Sequence, residues 1–378
     1  MRIALIGTRG VPARYGGFET AVEEIGRRLA AAGHEVTVYC RSTGDPEQPR
    51  EDYLGMRLVV LPAIRARAAE TLSHTFLSVL HLCRRGTDAA FVFNAANAPL
   101  LPVLRAARIP VATHVDGLEW KRAKWSGLGK RYYRVAESLA VRWSDALIAD
   151  AQGIADYYER EFGAPTVQIA YGAPRVDPGV GRLGELGLAP GGYHLVVARF
   201  EPENNVLTIV EGYRRSGARL PLVVVGSAPY AQQYTARVHA AADERVRFLG
   251  GVWDQELLDQ LYAGAFTYLH GHSVGGTNPS LLRAVGAGAP VIAYDVAFNR
   301  EVVRDAGRYF RGPADLARLL DEAEADPDGT AERGKASLLE AARYDWDEVA
   351  ERYAELARRL PQLRRRGARP SGRRRGRR

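Results

Sequence analysis

Two doubly wound α/β halves are predicted by three observations. Short apolar runs recur along the whole chain, with helix-like stretches between them. Several of these runs, such as "HLVVA", "PLVVVG" and "PVIAY", are apolar on both faces, which suits parallel strands covered by helices on either side. The chain of 378 residues is also longer than one hydrophobic core usually organises. The predicted class is therefore α/β, with two Rossmann-like domains facing a cleft.

In the first half, strands are predicted near 2–6, 36–40, 57–61, 90–93, 110–114 and 146–149. In the second they fall near 194–198, 221–225, 246–248, 266–270 and 290–294. The stretch "FETAVEEIGRRLAAAG" places Val22, Ile25 and Leu29 on one helical face and ends at Gly33, a residue suited to stopping a helix. Residues 173–192, "APRVDPGVGRLGELGLAPGG", are rich in Gly and Pro and read as a linker between a domain of residues 1–172 and one of residues 193–345. The last folded piece is a helix over 346–362, with Trp346, Val349, Tyr353 and Leu356 at helical spacing.

Residues 363–378 form a separate tail. The chain has 52 basic and 44 acidic residues, but nine arginines lie in "RRRGARPSGRRRGRR" at 364–378. Without them 43 basic residues face 44 acidic ones, so the basic excess belongs to the tail. Such a run buries no apolar surface and is expected to be disordered. It is either a solubilising end or an adhesive for an anionic membrane face. No aromatics interleave with the arginines, which speaks against specific nucleic-acid binding. Cys40 and Cys83 are isolated, so the expected compartment is the reducing cytoplasm. No apolar run approaches the length of a membrane span.

Two loops carry candidate chemistry. The first strand runs into Gly7-Thr-Arg-Gly10 and then Tyr15-Gly-Gly-Phe-Glu19. A dinucleotide fingerprint would need glycines at 7, 9 and 12, but Arg9 and Pro12 stand at two of these. What remains is a glycine pair, Gly16 and Gly17, at a helix start, where free N–H groups and the dipole favour an anion. The second half repeats the device. Gly275 and Gly276 precede Thr277, Asn278, Pro279 and an apolar helix, with Thr277 or Asn278 as cap. One such helix start per domain points to a phosphorylated ligand in the cleft between them. Arg199 leaves the strand at 194–198 where a diphosphate would lie; the competing reading is an ion pair with Glu201 or Glu203.

The segments "GTRGVPARYGGFET", "VDGLEWKRAKW", "ARFEPENN", "GGTNPSLL" and "FNREV" together resemble those of retaining glycosyltransferases of family 4, with the two-Rossmann GT-B architecture. Within that family they most resemble the bacterial rhamnosyltransferase-like group. The resemblance runs from residue 1 to about 360.

It implies a nucleoside-diphosphate sugar, held mainly by the second domain, as substrate with no further cofactor. It also implies a glycan or lipid-linked acceptor at the first domain, and a C-terminal helix that crosses back to that domain. The reaction implied is transfer of a hexose or deoxyhexose, rhamnose among them, in cell-surface polysaccharide assembly. The expected location is the cytoplasm, peripheral on the inner membrane face. The donor-binding residues are then Gly16, Gly17, Gly275, Gly276, Thr277, Asn278 and Arg283, and the catalytic ones Asp116, His114 and Arg199. His114 can equally be an ordinary polar residue at a strand end. The leaving phosphate itself assists acceptor attack in the family's expected mechanism, without a metal.

Three positions depart from the wider family's pattern. Asn204 stands where a lysine is usual, as it does in the rhamnosyltransferase-like group, and Gly275 and Arg283 replace two glutamates. The second of those glutamates usually accepts from the ribose hydroxyls, which arginine cannot do, so either another group takes the ribose, or Arg283 contacts phosphate, or donor binding is lost. A non-catalytic sugar-nucleotide or glycan-binding relative is therefore the first alternative, and a GT-B epimerase or phosphorylase the second.

Overall fold

The computed structural model describes residues 1–13, 16–44, 51–64, 69–115, 118–122, 125, 127–174, 179–228 and 231–367. The first domain follows the order β1 (Arg2–Ile6), α1 (Gly17–Ala31), β2 (Glu35–Arg41), β3 (Asp52–Tyr53), β4 (Met56–Leu61), α2 (Glu70–Arg85), β5 (Ala89–Phe93), α3 (Leu101–Ala106), β6 (Val111–Val115), α4 (Gly127–Trp143), β7 (Ala146–Ala149), α5 (Gln152–Phe162), β8 (Val167–Gln168). Its eight strands lie in the order β3-β4-β2-β1-β5-β6-β7-β8. Every pairing is parallel except β3 with β4.

The second domain runs β9 (His194–Val197), α6 (Val206–Arg215), β10 (Leu222–Val225), α7 (Gln232–Ala241), β11 (Val246–Gly250), α8 (Gln255–Ala263), β12 (Thr267–His270), α9 (Pro279–Gly286), β13 (Val291–Tyr294), α10 (Ala297–Val303), β14 (Arg308–Phe310), α11 (Pro313–Ala325), α12 (Pro327–Ala341), α13 (Trp346–Gly367). Its six parallel strands lie in the order β11-β10-β9-β12-β13-β14.

The chain order reverses between β1 and β5 in the first sheet and between β9 and β12 in the second. Ligands bind doubly wound sheets at the carboxyl ends of strands beside such a reversal. The loops singled out in the sequence follow β1, β9 and β12, so the topology itself selects them.

The central strands are buried on both faces, as their composition requires: Ile3, Ala4, Leu5 and Ile6 are all in the core, as are Leu222, Val223 and Val224. Helix α1 buries Val22, Ile25 and Leu29. Helix α13 returns to the first domain and packs on α1 and β5. Its Tyr353 ring lies 4.9 Å from that of Phe91 and stacks on Phe93 at 6.5 Å. Trp346 closes on Gly172, where a side chain would collide with the indole. One continuous core thus joins α13, both sheets and α1.

Truncating Tyr353 should therefore loosen both domains. Tyr353→Ala is expected to lower the unfolding free energy by roughly 3–5 kcal/mol. Tyr353→Phe should be nearly neutral, because the buried hydroxyl has no protein partner among the described residues. Denaturant titration of both variants checks this.

Two boundaries differ from expectation. The final helix passes the expected end at 362 and continues to Gly367. Leu363 packs on the core, and Arg364 donates to the carbonyls of Ile109 and Arg105, both at 2.8 Å. Arg105 is in the last turn of α3 and Ile109 lies just beyond it, at a helix C-terminus where a cation is favoured. The first arginine of the run is therefore part of the fold, while residues 368–378 lie outside the described residues. The expected linker is also partly built in. Residues 181–186 form a 3₁₀ turn, Leu183 is buried, and the Arg182 amide donates to Gln260 Oε1 at 2.7 Å. Among the described residues no helix is long and apolar enough to cross a membrane.

Candidate functional site

Helix α1 starts at the first glycine pair. Gly16 is its N-cap residue at φ 118° and brings no side chain to the orphan N–H groups. A Cβ there would sit 2.5 Å from Glu19 Oε2. Glu19 accepts from the Arg9 amide at 3.1 Å. Burial pushes its carboxyl up, against the opposing pull of the Arg9 and Glu19 amides. The earlier glycines serve packing: Gly7 presses on the Phe93 carbonyl and Gly10 on Cys40.

Helix α9 starts at the second pair. Asn278 provides the cap, with Oδ1 accepting from the Ser280 amide at 2.9 Å, and Pro279 opens the helix. The two helix starts meet across the domain boundary: a Cβ on Gly17 would lie 2.8 Å from Pro279 Cγ. Thr277 does not cap. Its hydroxyl donates to the Asp150 carbonyl at 2.7 Å, across the boundary. Gly276 lies so close to Asp150 and Ile154 that a Cβ would collide with both. Gly276 and Thr277 thus dock one domain on the other, a role their sequence context did not reveal. Gly275, at φ 139°, faces His272, whose Nε2 would lie 3.0 Å from a Cβ.

Arg199 leaves the end of β9 and stands 3.7 Å from Glu201 Oε2, with 40% of its side chain exposed. The ion pair weighed in the sequence therefore exists, but at a loose distance. Asn204 donates from Nδ2 to the Arg199 carbonyl at 2.8 Å. Its Oδ1 is then the atom facing His272 Nδ1 at 2.9 Å. The imidazole must donate there, so its Nε2 carries the lone pair turned toward Gly275. Burial, the nearby His270 and the charges of Arg122 and Arg199 keep His272 well below the usual histidine range. Glu203 is buried, and neither carboxylate oxygen has a protein partner among the described residues.

His114 is enclosed by aromatic rings, and neither ring nitrogen has a protein partner among the described residues. Its ring is stacked between Phe93 at 5.5 Å and Tyr171 at 5.6 Å, with the edge of Phe18 at 5.3 Å. Burial alone lowers its pKa to about 3, so it is a neutral imidazole in an aromatic box near neutrality. His270 is lowered to about 3 by the same cause. Both stay unprotonated in the folded chain while the unfolded chain takes up protons below about pH 6.5. Their stabilisation is therefore present above that pH and lost as pH falls toward the folded value, by roughly 1.4 kcal/mol per pH unit for each histidine. His114→Phe keeps the aromatic packing and should remove one proton's worth of this slope. Denaturant unfolding across the acid range measures it. Asp116 lies outside the described residues.

Arg283 has a partner that its sequence context did not show. Its Nε donates to Asp259 Oδ1 of α8 at 2.5 Å, and the Tyr262 ring lies 5.9 Å away. Its charge is thus paired with a carboxylate of the second domain. Arg283→Ala would leave Asp259 charged and unpartnered in a largely buried site, which should cost roughly 1–3 kcal/mol of stability. Arg283→Glu would oppose two carboxylates and lose more. Thermal and denaturant unfolding read both. Higher transfer activity from a fully stable Arg283→Glu protein would contradict this account.

Sequence reasoning did not single out Glu19, Arg122, Asp150 or His272, and weighed Glu203 only as an ion-pair partner of Arg199. Asp150 and His272 sit just beyond strands, at the carboxyl edge, which is a usable signal. Glu19 and Arg122 stood inside quoted motifs, yet nothing local distinguished them from surface charges. Among the described residues, no group of three His, Cys, Asp or Glu side chains could hold a metal ion.

Residues 16–172 match the Glycosyl transferase 4-like domain, and residues 191–338 match Glycosyl transferases group 1. The chain is 25% identical to a glycogen synthase of Mycobacterium tuberculosis over 94% of each chain. It is also 25% identical to the D-inositol 3-phosphate glycosyltransferase of Streptomyces coelicolor, over 90% of this chain and 86% of that one. In structure it is similar to sucrose-phosphate synthase from Thermosynechococcus elongatus, with a TM-score of 0.80 and 22% identity over 95% and 98% of the two chains. It also resembles Anabaena HepE in complex with UDP-glucose, with a TM-score of 0.76 and 19% identity over 94% and 99%.

Proposed function

The chain belongs to the GT-B glycosyltransferases of family-4 type, and from that premise we propose that it transfers a hexose or deoxyhexose, with rhamnose the first candidate, from a nucleoside diphosphate to a glycan acceptor with retention. The acceptor is a cell-surface polysaccharide or a lipid-linked glycan, bound on the side of the first domain. The observation that carries this reading is the meeting of α1 and α9 across the cleft, with Gly17 against Pro279 and Arg199 at the same edge. Two positive helix ends and a guanidinium are aimed where negative charge grows as the diphosphate departs.

In the proposed step the bond from the sugar C1 to the phosphate oxygen breaks. The acceptor oxygen bonds to C1 on the same face, and its proton passes to the departing phosphate oxygen. No protein nucleophile is needed. Arg199 and the two helix starts hold the leaving group, and Gly276 and Thr277 keep the domains in register.

The test is a panel of nucleotide sugars in a thermal-shift assay, since a ligand at about 100 times its Kd adds about 2.7 kcal/mol. It is followed by nucleoside diphosphate release with glycan acceptors and NMR of the product anomer. Binding without transfer to any acceptor would favour a non-catalytic relative. Turnover of donor without acceptor would favour an epimerase. An inverted product would refute retention.

A further inference from the structure

We propose that Glu301 is a positioning residue: from the second domain it caps helix α5 of the first, and so sets the spacing at which the two helix starts meet. The inference rests on the donor reading above and deepens it, since that reading needs α1 and α9 held together and names only Gly276 and Thr277 for the task.

Helix α5 begins without a cap of its own. Its N-cap residue is Ala151, which has the extended backbone of a cap at φ −142° and ψ 150° but no side chain that can accept. No acid stands in the first turn either. A helix start leaves amide N–H groups without a partner, and a negative charge is favoured beside them. The other domain supplies both partner and charge. The Gln152 amide, the first of α5, donates to the carboxylate of Glu301 on α10, at 2.9 Å to Oε2 and 3.2 Å to Oε1. Gln168 of β8 donates from Nε2 to the same Oε1 at 2.9 Å.

Two grips close on one corner of the first domain. Thr277 holds the carbonyl of Asp150 at 2.7 Å, just before the amide that Glu301 holds. The turn from β7 into α5 is therefore fixed both by the loop before α9 and by α10. Each grip leads on to the site. Thr277 is followed closely by Pro279, which meets Gly17. On α10, buried Asn299 donates from Nδ2 to the carbonyls of His272 and Tyr294, both at 2.9 Å. His272 in turn faces the Asn204 side chain, which holds the Arg199 carbonyl. The Glu301 carbonyl accepts from Arg343 at 3.0 Å, so α10 is itself braced within its own domain. Loss of the carboxylate would thus tilt the second domain about this corner, with Arg199 and the start of α9 carried along.

The experiment compares Glu301→Ala, Glu301→Gln, Ala151→Ser and the double variant of Ala151→Ser with Glu301→Ala, each as the full chain. Donor kcat/KM should fall about 100-fold in Glu301→Ala, the scale of a misplacement of about 1 Å. It should fall about tenfold in Glu301→Gln, which keeps an acceptor oxygen but not the charge. Small-angle X-ray scattering without ligand should give a larger radius of gyration for Glu301→Ala than for wild type, and a smaller increase for Glu301→Gln. Ala151→Ser gives α5 a cap from its own domain. In the double variant it should restore the melting temperature lost in Glu301→Ala, while kcat/KM and the radius of gyration stay unrestored. Recovery of activity together with the melting temperature would make Glu301 a helix cap alone and overturn the proposal. An unchanged radius of gyration in Glu301→Ala would overturn it too. Scattering needs no turnover, so it judges the clamp even where a wild type that binds and transfers no nucleotide sugar removes the donor reading.

Discussion

Gly17→Val abolishes transfer while the protein stays folded: a loss of at least about 100-fold in kcat/KM is expected, equivalent to about 2.7 kcal/mol in the barrier. The reason is a contact between domains. A Cβ at position 17 would lie 2.8 Å from Pro279 Cγ and 3.2 Å from its Cδ, both on the opposite helix start. The proline ring is rigid and opens α9, so it cannot yield without shifting the helix. Separation of the domains is the easier response, and a misplacement of about 1 Å between reacting groups costs on the order of 100-fold. Gly17 is already helical, the first residue of α1, so valine there brings only a small propensity penalty. Steady-state kinetics beside a thermal melt checks the prediction. Retained transfer would mean that the two helix starts need not meet during the reaction. A melting temperature lowered by many degrees would mean that the loop is structural alone.

Arg199→Ala is expected to lower kcat by a comparable factor, about 100-fold or more, with little change in stability. Removing one preorganised donor from a developing negative charge typically costs about 2.7–4 kcal/mol. The side chain is 40% exposed and meets Glu201 at 3.7 Å, and an ion pair of that kind contributes little to folding. The bond from Asn204 goes to the Arg199 backbone carbonyl, so the brace between Asn204 and His272 survives the substitution. Arg199→Lys should recover only part of the activity, because the ammonium is a single point charge. A loss below about threefold in Arg199→Ala would place the leaving-group charge elsewhere in the cleft.

Much of the fold was legible because its signals are local. The buried parallel strands announce themselves as apolar runs, and β1, β2, β4, β5, β6 and β7 lie within a residue or two of where their composition put them. Strands β3, β8 and β14 have two or three residues each, too few for any periodicity to show. The turn at 181–186 was hidden for a related reason: "GRLGELGL" has a linker's glycines, and its leucines are buried only because α8 lies beneath them.

The candidate site divides along the same line. The sequence by itself determined that glycine-paired loops would follow β1 and β12 and that Arg199 would follow β9, because backbone freedom, capping and strand ends are encoded within a few residues. Only the tertiary structure decided what each group touches. It set Gly17 against Pro279, Thr277 on the Asp150 carbonyl, Arg283 on Asp259 and His114 between Phe93 and Tyr171. Most of these partners lie far apart in the chain and leave no shared period or spacing in the sequence. Whether a charge is free or paired, and whether a histidine can take up a proton, depends on the charges and the low-dielectric surroundings that other segments bring to it.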